Sequence, residues 1–198
     1  MLTSNQMNAN KTAFITLLKS TNRKGVENVI SYLDQGGFFR VPASVHHHNN
    51  FEGGLAKHSL EVYSEAMAVY NEYTDYFPYL EPVLPLDSIT ICALLHDVCK
   101  MDVFCMRDGC PHGTGVPNNP HGKKSVRLLI EWGLDLTEDE QIAIAWHMGK
   151  WTKDADCQPQ DVEACFLEAQ RKTPILSVIR RADSLASKKA IEDQMNDE

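Results

Sequence analysis

Apolar residues recur at intervals of three and four positions along most of the chain, which is the spacing of amphipathic helices. This pattern is clear over residues 11–20 and 24–34, the second of which ends at Gly36-Gly37. It predicts further helices over six ranges: 55–73, 88–101, 121–132, 137–148, 160–171 and 174–192. Alternation of period two is confined to short stretches. The predicted fold class is therefore all-α, a helical bundle.

Turn-forming residues and caps mark the expected boundaries. Residues 38–54 and 102–119 are predicted to be loops, the second long and irregular because it is rich in Gly, Pro, Asn and Asp. Asp87 or Ser88 is predicted to cap the helix over 88–101. Thr137 and Glu140 match a capping box, which opens the helix over 137–148.

The length of 198 residues predicts a single domain over 1–198. Within it, residues 1–37 are predicted to form an N-terminal helical extension and residues 40–190 the core.

Composition and charge narrow the class of protein. The chain is 43% hydrophobic and 23% charged, as in ordinary globular proteins. No apolar run approaches the roughly 18 residues of a membrane span, and the N-terminus lacks a secretion-signal pattern, so we expect a cytoplasmic protein with no membrane partner. The net charge of −8 disfavours long nucleic acids but leaves small anionic substrates open.

Six cysteines without a secretion signal are expected to be free thiols. Cys105, Cys110 and His112 are potential zinc ligands, but their spacing matches no common zinc motif. We therefore expect ordinary loop thiols there.

Histidine and aspartate residues stand at the ends of several predicted helices. Individually each has an ordinary explanation, such as a hydrogen-bonded core histidine or a local ion pair of Asp183 with Arg180 or Arg181. Together, imidazole and carboxylate ligands suit hard or borderline divalent metals. Adjacent side chains on one helix diverge by about 100°, so His96 and Asp97 can share one centre at the helix edge, or Asp97 can bridge two. The candidate ligands are His58, His96, Asp97, His121, His147 and Asp183.

Five short segments carry these residues in order: "GGLAKHSLEV", "LLHDVCK", "HGKKSV", "AWHMG" and "ADSLAS". In order and spacing they resemble the motifs of the HD-domain metal-dependent phosphohydrolases, over about residues 40–190. The resemblance implies an all-α HD-domain bundle with a metal site between its helices. Because both optional histidines are present, it also implies two divalent ions, drawn from Fe, Mn, Co, Ni, Mg and Zn. One would be bound by His58, His96, Asp97 and Asp183 and the other by His121 and His147, with Asp97 bridging.

The resemblance further implies hydrolysis of a nucleotide-like phosphomonoester or phosphodiester by metal-activated hydroxide. Asp97, Lys100 and His48 are the expected catalytic residues. Lys100 is four residues after His96 and is therefore expected on the same helix face. The expected substrate-binding residues are Lys100, Lys124 and Lys150. Lys124 can equally be a solvated surface lysine, and the alternative for Lys100 is a helix C-terminal lysine that interacts with the helix dipole. Trp151 is expected either to line the pocket mouth or to lie in the core.

Three alternatives stay open at this point. The chain can be an exonuclease on short oligonucleotides, a non-catalytic metal or nucleotide sensor, or a di-iron oxidase of the type that cleaves an inositol ring.

Two departures from the family pattern are visible: the GYP-type loop after the His-Asp motif is absent, and Cys99 stands where relatives often have Gly. The substrate, the oligomeric state and the roles of His46 and His47 are not predicted.

Overall fold

The computed structural model describes residues 1–117, 120–152 and 157–196. Its helices and strands follow one another in this order: α1 (Ser4–Ser20), α2 (Val26–Gln35), α3 (Gly54–Tyr76), α4 (Leu86–Leu95), α5 (Lys100–Val103), β1 (Phe104–Arg107), β2 (Cys110–Gly113), α6 (His121–Glu131), α7 (Glu138–Trp146), α8 (Val162–Lys172) and α9 (Ile175–Asn196). Short 3₁₀ segments lie at Pro78–Val83, Gly149–Trp151 and Pro159–Asp161. The predicted all-α class is confirmed. Across these ranges no helix combines the length and apolarity needed to cross a membrane.

Helix α4 is the centre of the core. Every residue from Ser88 to Leu95 is buried, because the helix is apolar on almost all sides and packs against α1, α3, α7 and α9. Burying a Leu or Ile side chain contributes about 1.5–3 kcal/mol, so this segment is strongly anchored. Its C-terminal end, where His96 follows, is therefore held firmly inside the bundle.

The N-terminal helices share this core. Phe14 and Leu18 of α1 and Val29 and Leu33 of α2 belong to the same buried cluster as α4. An ion-pair network also joins the α1–α2 turn to two other helices. The Arg23 guanidinium donates to both carboxylate oxygens of Glu140 on α7, at 2.8 Å each, and to Asp87 on α4 at 2.8 Å. Arg23 thus links the N-terminal ends of α4 and α7.

The predicted helix over 88–101 is wrong in two respects. It ends at Leu95, and residues 96–99 form turns with three-residue hydrogen bonds, such as Lys100 N–H to Asp97 O at 2.9 Å. The His96 ring bonds the carbonyl of Ala93, which the N–H of Asp97 would bond in a continuing α-helix. The predicted cap is also wrong: the N-cap is Pro85, without a side-chain cap, since Asp87 pairs with Arg23.

The other predicted helices are present with their ends shifted by a few residues, except that α1 begins at Ser4, seven residues before the predicted start. The capping box of α7 is confirmed, because Thr137 Oγ1 accepts from Glu140 N–H while the Glu140 carboxylate accepts from Thr137 N–H. Residues 38–53 form turns and bends without a helix or strand, as predicted.

The loop predicted over 102–119 is partly wrong, while residues 118 and 119 lie outside the described residues. Strands β1 and β2 form an antiparallel hairpin in which Arg107 pairs with Cys110. The two residues between them, Asp108 and Gly109, have φ values of 50° and 77°. Two consecutive left-handed residues form the type of turn that joins tight hairpins, which explains why the chain reverses here.

The cysteine prediction is also partly wrong. Cys157 and Cys165 form a disulfide, whereas Cys92, Cys99, Cys105 and Cys110 are free thiols. Cys105 and His112 face each other across the hairpin, but they belong to none of the potential metal-binding groups found in the described part of the chain.

Candidate metal centre

The six predicted ligands come together although they lie on five different elements. Five of the six are buried, and Asp183 is half-buried. Their positions explain the convergence, because most stand at helix ends that point into the centre of the bundle. His58 lies one turn into α3, His96 caps the end of α4 and is followed by Asp97, His121 begins α6, His147 caps the end of α7, and Asp183 lies within α9.

Asp97 is the central member of the cluster. Its Oδ2 atom lies 3.2 Å from His96 Nε2 and 3.8 Å from His58 Nε2. Its Oδ1 atom lies 3.5 Å from His121 Nε2 and 3.6 Å from His147 Nε2. One carboxylate thus presents a different oxygen to each of two histidine pairs.

Asp183 completes the first of these two groups. Its Oδ1 atom is 3.2 Å from His58 Nε2 and 4.0 Å from His96 Nε2. On the other side, His121 Nε2 and His147 Nε2 approach each other at 3.0 Å. Within the described residues, three sets of His and Asp atoms lie within 4.8 Å of one another, and together they contain all six side chains.

Backbone carbonyls orient two of the imidazoles. His96 Nδ1–H donates to Ala93 O at 3.0 Å, and His147 Nδ1–H donates to Ile144 O at 2.7 Å. Each bond places the hydrogen on Nδ1 and leaves the lone pair of Nε2 directed into the cluster. Histidines that bind metals are held in the same way, by a hydrogen bond from the ring nitrogen that does not bind the metal.

The cluster fits a divalent metal centre better than a purely structural polar core. Buried polar atoms almost always have hydrogen-bond partners. Here His58 Nδ1, His58 Nε2, His96 Nε2 and Asp97 Oδ1 are buried with none. The donors are nitrogen and oxygen atoms without a thiolate, a set suited to hard or borderline cations.

The charge states of Asp97, Asp183 and His147 agree with this fit, whereas at His96 the nearby Asp97 outweighs burial and raises the pKa. Burial opposes the charge of Asp97, but Lys100 and His96 outweigh it and hold the pKa of Asp97 well below its usual range. The pKa of Asp183 is likewise low, because the His58 imidazole 3.2 Å away and the nearby His96 outweigh burial. Burial, aided by His96, lowers the pKa of His147 to about 3. Ionised carboxylates and a neutral imidazole are the forms that bind metals.

A cavity of about 880 Å³ opens beside the cluster, and Asp97, His121, His147 and Asp183 form part of its wall. Lys100 and His48, two predicted catalytic residues, also line it. Lys100 Nζ lies 2.7 Å from Asp97 Oδ2, and its side chain is 12% exposed. The prediction that Lys100 shares a continuous helix face with His96 is wrong, because α4 ends at Leu95, and Lys100 instead pairs with Asp97.

The ring of His48 lies 4.6 Å from that of His58, and its Nε2 atom is buried without a hydrogen-bond partner. Burial, followed by the nearby His58, lowers the pKa of His48 to about 3. The neighbouring His47 also lines the cavity, whereas His46 is exposed and lies away from it.

Two predicted substrate-binding lysines lie outside the residues that line the cavity. Lys124 forms an ion pair with Asp102 at 3.2 Å, and the Nζ atom of Lys150 lies 5.6 Å from the ring centre of Trp151. Trp151 itself lines the cavity and is 71% exposed, so its alternative placement in the core is wrong.

Several cavity residues were not predicted from the sequence, and most lie on α9. Their spacing from Asp183 offered a signal in part, since Arg180 and Ser187 stand three and four residues from it and therefore lie on the same helix face. Arg181, one of the suggested partners of Asp183, instead donates twice to Glu72, at 2.8 and 3.0 Å. The α9 residues of the wall are Ser177, Arg180, Arg181, Ser184, Leu185, Ser187, Lys188 and Ile191.

Comparison with protein families supports the interpretation of the cluster as a metal-binding site. The model of the HD domain matches residues 55–188, a range that contains all six clustered residues. Searches against individual curated proteins and against solved structures produced no significant match. Members of the HD family are in general hydrolases that bind divalent metals through His and Asp side chains. On its sequence and its buried His/Asp cluster, the chain belongs to the HD domain family.

Proposed function

We propose that this protein is a metal-dependent phosphohydrolase that cleaves a phosphomonoester or phosphodiester of a small, nucleotide-like substrate. The observation that carries the proposal is the arrangement of Asp97, whose two oxygens face two separate histidine pairs beside an open cavity. This arrangement suits two divalent ions joined by one carboxylate.

The proposed ligands divide into two groups that share Asp97. His58, His96 and Asp183 lie on the side of its Oδ2 atom, and His121 and His147 lie on the side of Oδ1. Divalent metals supply Lewis acidity in such a site, which lowers the pKa of a water molecule and neutralises charge on phosphate oxygens. Iron, manganese, cobalt, nickel, magnesium and zinc all remain candidates for the ions.

Lys100 and His48 are the proposed contacts of the phosphate. The ammonium group of Lys100 is held by Asp97 at 2.7 Å, which fixes the amine at the cavity wall, and its remaining N–H groups can donate to a phosphate oxygen. His48 lines the same cavity with an unpaired Nε2 atom, so its ring can hydrogen-bond the substrate or the leaving group.

The test combines metal analysis of the purified protein with a screen for phosphate release. The screen covers mononucleotides, dinucleotides, cyclic nucleotides and short RNA, so that it also detects the exonuclease alternative. We expect metal-dependent hydrolysis by the wild type. Asp97→Ala should lower the metal content and reduce activity by more than about a hundredfold, since even the loss of an outer-shell partner costs 10–100-fold in metal affinity or activity.

Asp139→Ala is the matched control, because Asp139 is an exposed carboxylate on α7. It should leave metal content and activity unchanged, and circular dichroism should show that both variants are folded. Full activity of a metal-free Asp97→Ala protein would refute the proposal. Nucleotide binding without turnover by the fully loaded wild type would favour the sensor alternative.

A further inference from the structure

We infer that Arg180 forms a second anion-binding subsite in the cavity, and that the substrate carries a further phosphate besides the one that is hydrolysed. This inference rests on the proposed function for the identity of the first phosphate. Arg180 lies on α9 and is neither a candidate metal ligand nor a proposed contact of the hydrolysed phosphate.

The guanidinium of Arg180 has two close neighbours at the cavity wall. Its Cζ atom lies 4.9 Å from the ring centre of Phe166 on α8. It also passes close to the backbone of Gly149, where a Cβ atom would come within 2.5 Å of the Arg180 Nε atom. Such a fixed guanidinium loses little conformational freedom when it binds an anion.

Gly149 matters here for two reasons. Its φ of 59° lies in the left-handed region, and any larger residue would push the Arg180 side chain away. Gly149 also follows His147 by two residues, so the segment that supplies a candidate metal ligand also makes room for Arg180. The guanidinium and the metal cluster are thereby linked through one short turn.

The other cations of the cavity wall are already neutralised or less constrained. Lys100 pairs with Asp97 at 2.7 Å, and Arg181 pairs with Glu72 at 2.8 Å. Lys188 is exposed. Among residues 1–117, 120–152 and 157–196, no carboxylate forms an ion pair with Arg180, whose partner in the chain is an aromatic ring. A half-buried guanidinium that stacks on a ring keeps its N–H donors available for a bidentate anion.

The position of Arg180 relative to the cluster indicates how the substrate lies. Arg180 precedes Asp183 by three residues, which is about 4.5 Å along the axis of α9. A cavity of about 880 Å³ is much larger than one phosphate needs. A substrate with one phosphate at the cluster and a second at Arg180 would contact two adjacent parts of this wall.

The experiment measures equilibrium binding of phosphonates to the full-length, metal-loaded protein by calorimetry. Phosphonates contain P–C bonds that a phosphoester hydrolase does not cleave, so binding is read without turnover. The probes are methylphosphonate, which has one anionic group, and diphosphonates with one-, two- and three-carbon spacers. We expect at least one diphosphonate to bind about tenfold or more tightly than methylphosphonate, and Arg180→Met to abolish that difference while methylphosphonate binding stays unchanged.

Arg171→Met is the matched control, because Arg171 is an exposed arginine on α8. It should bind every probe as the wild type does. Arg180→Lys keeps the charge but loses the planar fork, so it should retain only part of the preference. Metal content and thermal denaturation establish that each variant is folded and loaded.

The inference is overturned if the Arg180→Met substitution weakens the binding of every diphosphonate by no more than it weakens the binding of methylphosphonate. It is also overturned if the wild type binds all four probes equally. Neither outcome depends on hydrolysis, so a protein without phosphohydrolase activity can still show the Arg180 subsite. Conversely, an active enzyme can lack it.

Discussion

Two clusters of buried ionisable side chains in this protein differ in how their polar atoms are satisfied. In the first, Arg23 and Glu140 form two hydrogen bonds of 2.8 Å, and Glu140 is fully buried. Arg23 also bonds Asp87 and the carbonyl of Asp135. The second is the His and Asp cluster around Asp97. In it, several ring nitrogens and a carboxylate oxygen are buried without any hydrogen bond.

The difference shows that buried charge alone does not identify a functional site. Both clusters carry the cost of removing ionisable groups from water. In the Arg23 network the partners are complete within the chain, so the network serves to join the α1–α2 turn to α4 and α7. Around Asp97 the unmatched lone pairs converge on one region, which is what a metal-binding site requires. Three predictions test this contrast.

The largest effect on stability is expected from Glu140→Ala. It leaves the Arg23 guanidinium without its buried partner and should lower the free energy of unfolding by about 3–5 kcal/mol. Urea denaturation measures this change. The folded fraction should still bind metal, because Glu140 is not among the candidate ligands. Glu138→Ala, at an exposed position of the same helix, is the control and should change stability little. Loss of metal binding by folded Glu140→Ala protein would contradict the purely structural role of the Arg23 network.

Metal removal should have a smaller effect, and only through the second cluster. A metal that binds the folded state alone stabilises it by about 2.7 kcal/mol when its free concentration is a hundred times Kd. Chelation should therefore lower the thermal midpoint of the wild type and of Glu140→Ala. Asp97→Ala should respond much less, since its binding site is impaired. An equal response of wild type and Asp97→Ala to the chelator would argue against a metal centre at Asp97.

The smallest effect is expected when both members of the first pair are replaced by apolar residues. Arg23→Met combined with Glu140→Leu removes the buried charges together, and such exchanges are often neutral or even stabilising. Asp87 is about half exposed and remains hydrated, although the Thr137 N–H loses the Glu140 carboxylate as its acceptor, at a cost of about 1 kcal/mol. The double variant should thus be more stable than Glu140→Ala in the same urea titration. A double variant as unstable as the single one would mean that the pair itself stabilises the fold.

The helical architecture and the candidate ligands could both be predicted from the pattern of apolar and polar residues in the sequence. Helices α3, α4 and α9 have strong apolar patterns, and His58, His96 and Asp183 stand out as polar residues in or next to buried segments. The order of the motifs then grouped residues that are distant in the chain. The family match over residues 55–188 agrees with that grouping.

Other features depended on interactions that no periodic pattern reveals. The break after Leu95 arises where the His96 ring bonds the Ala93 carbonyl. The hairpin has strands of only four residues, although the Asp108-Gly109 pair was a usable turn signal. The pairing of Cys157 with Cys165 and the stacking of Arg180 on Phe166 require the tertiary arrangement of α8.

The placement of His96 and His147 at helix C-termini has a consequence for how the protein tolerates changes in length. Each ring bonds a carbonyl three residues earlier, so each side chain is in register with the helix that precedes it. Inserting or deleting one residue within α4 or α7 would rotate the following imidazole by about 100° and shift it by about 1.5 Å along the axis. Substitutions on these helices leave that register intact. We therefore expect single-residue insertions and deletions in α4 and α7 to be far less tolerated than in the hairpin turn at Asp108 and Gly109.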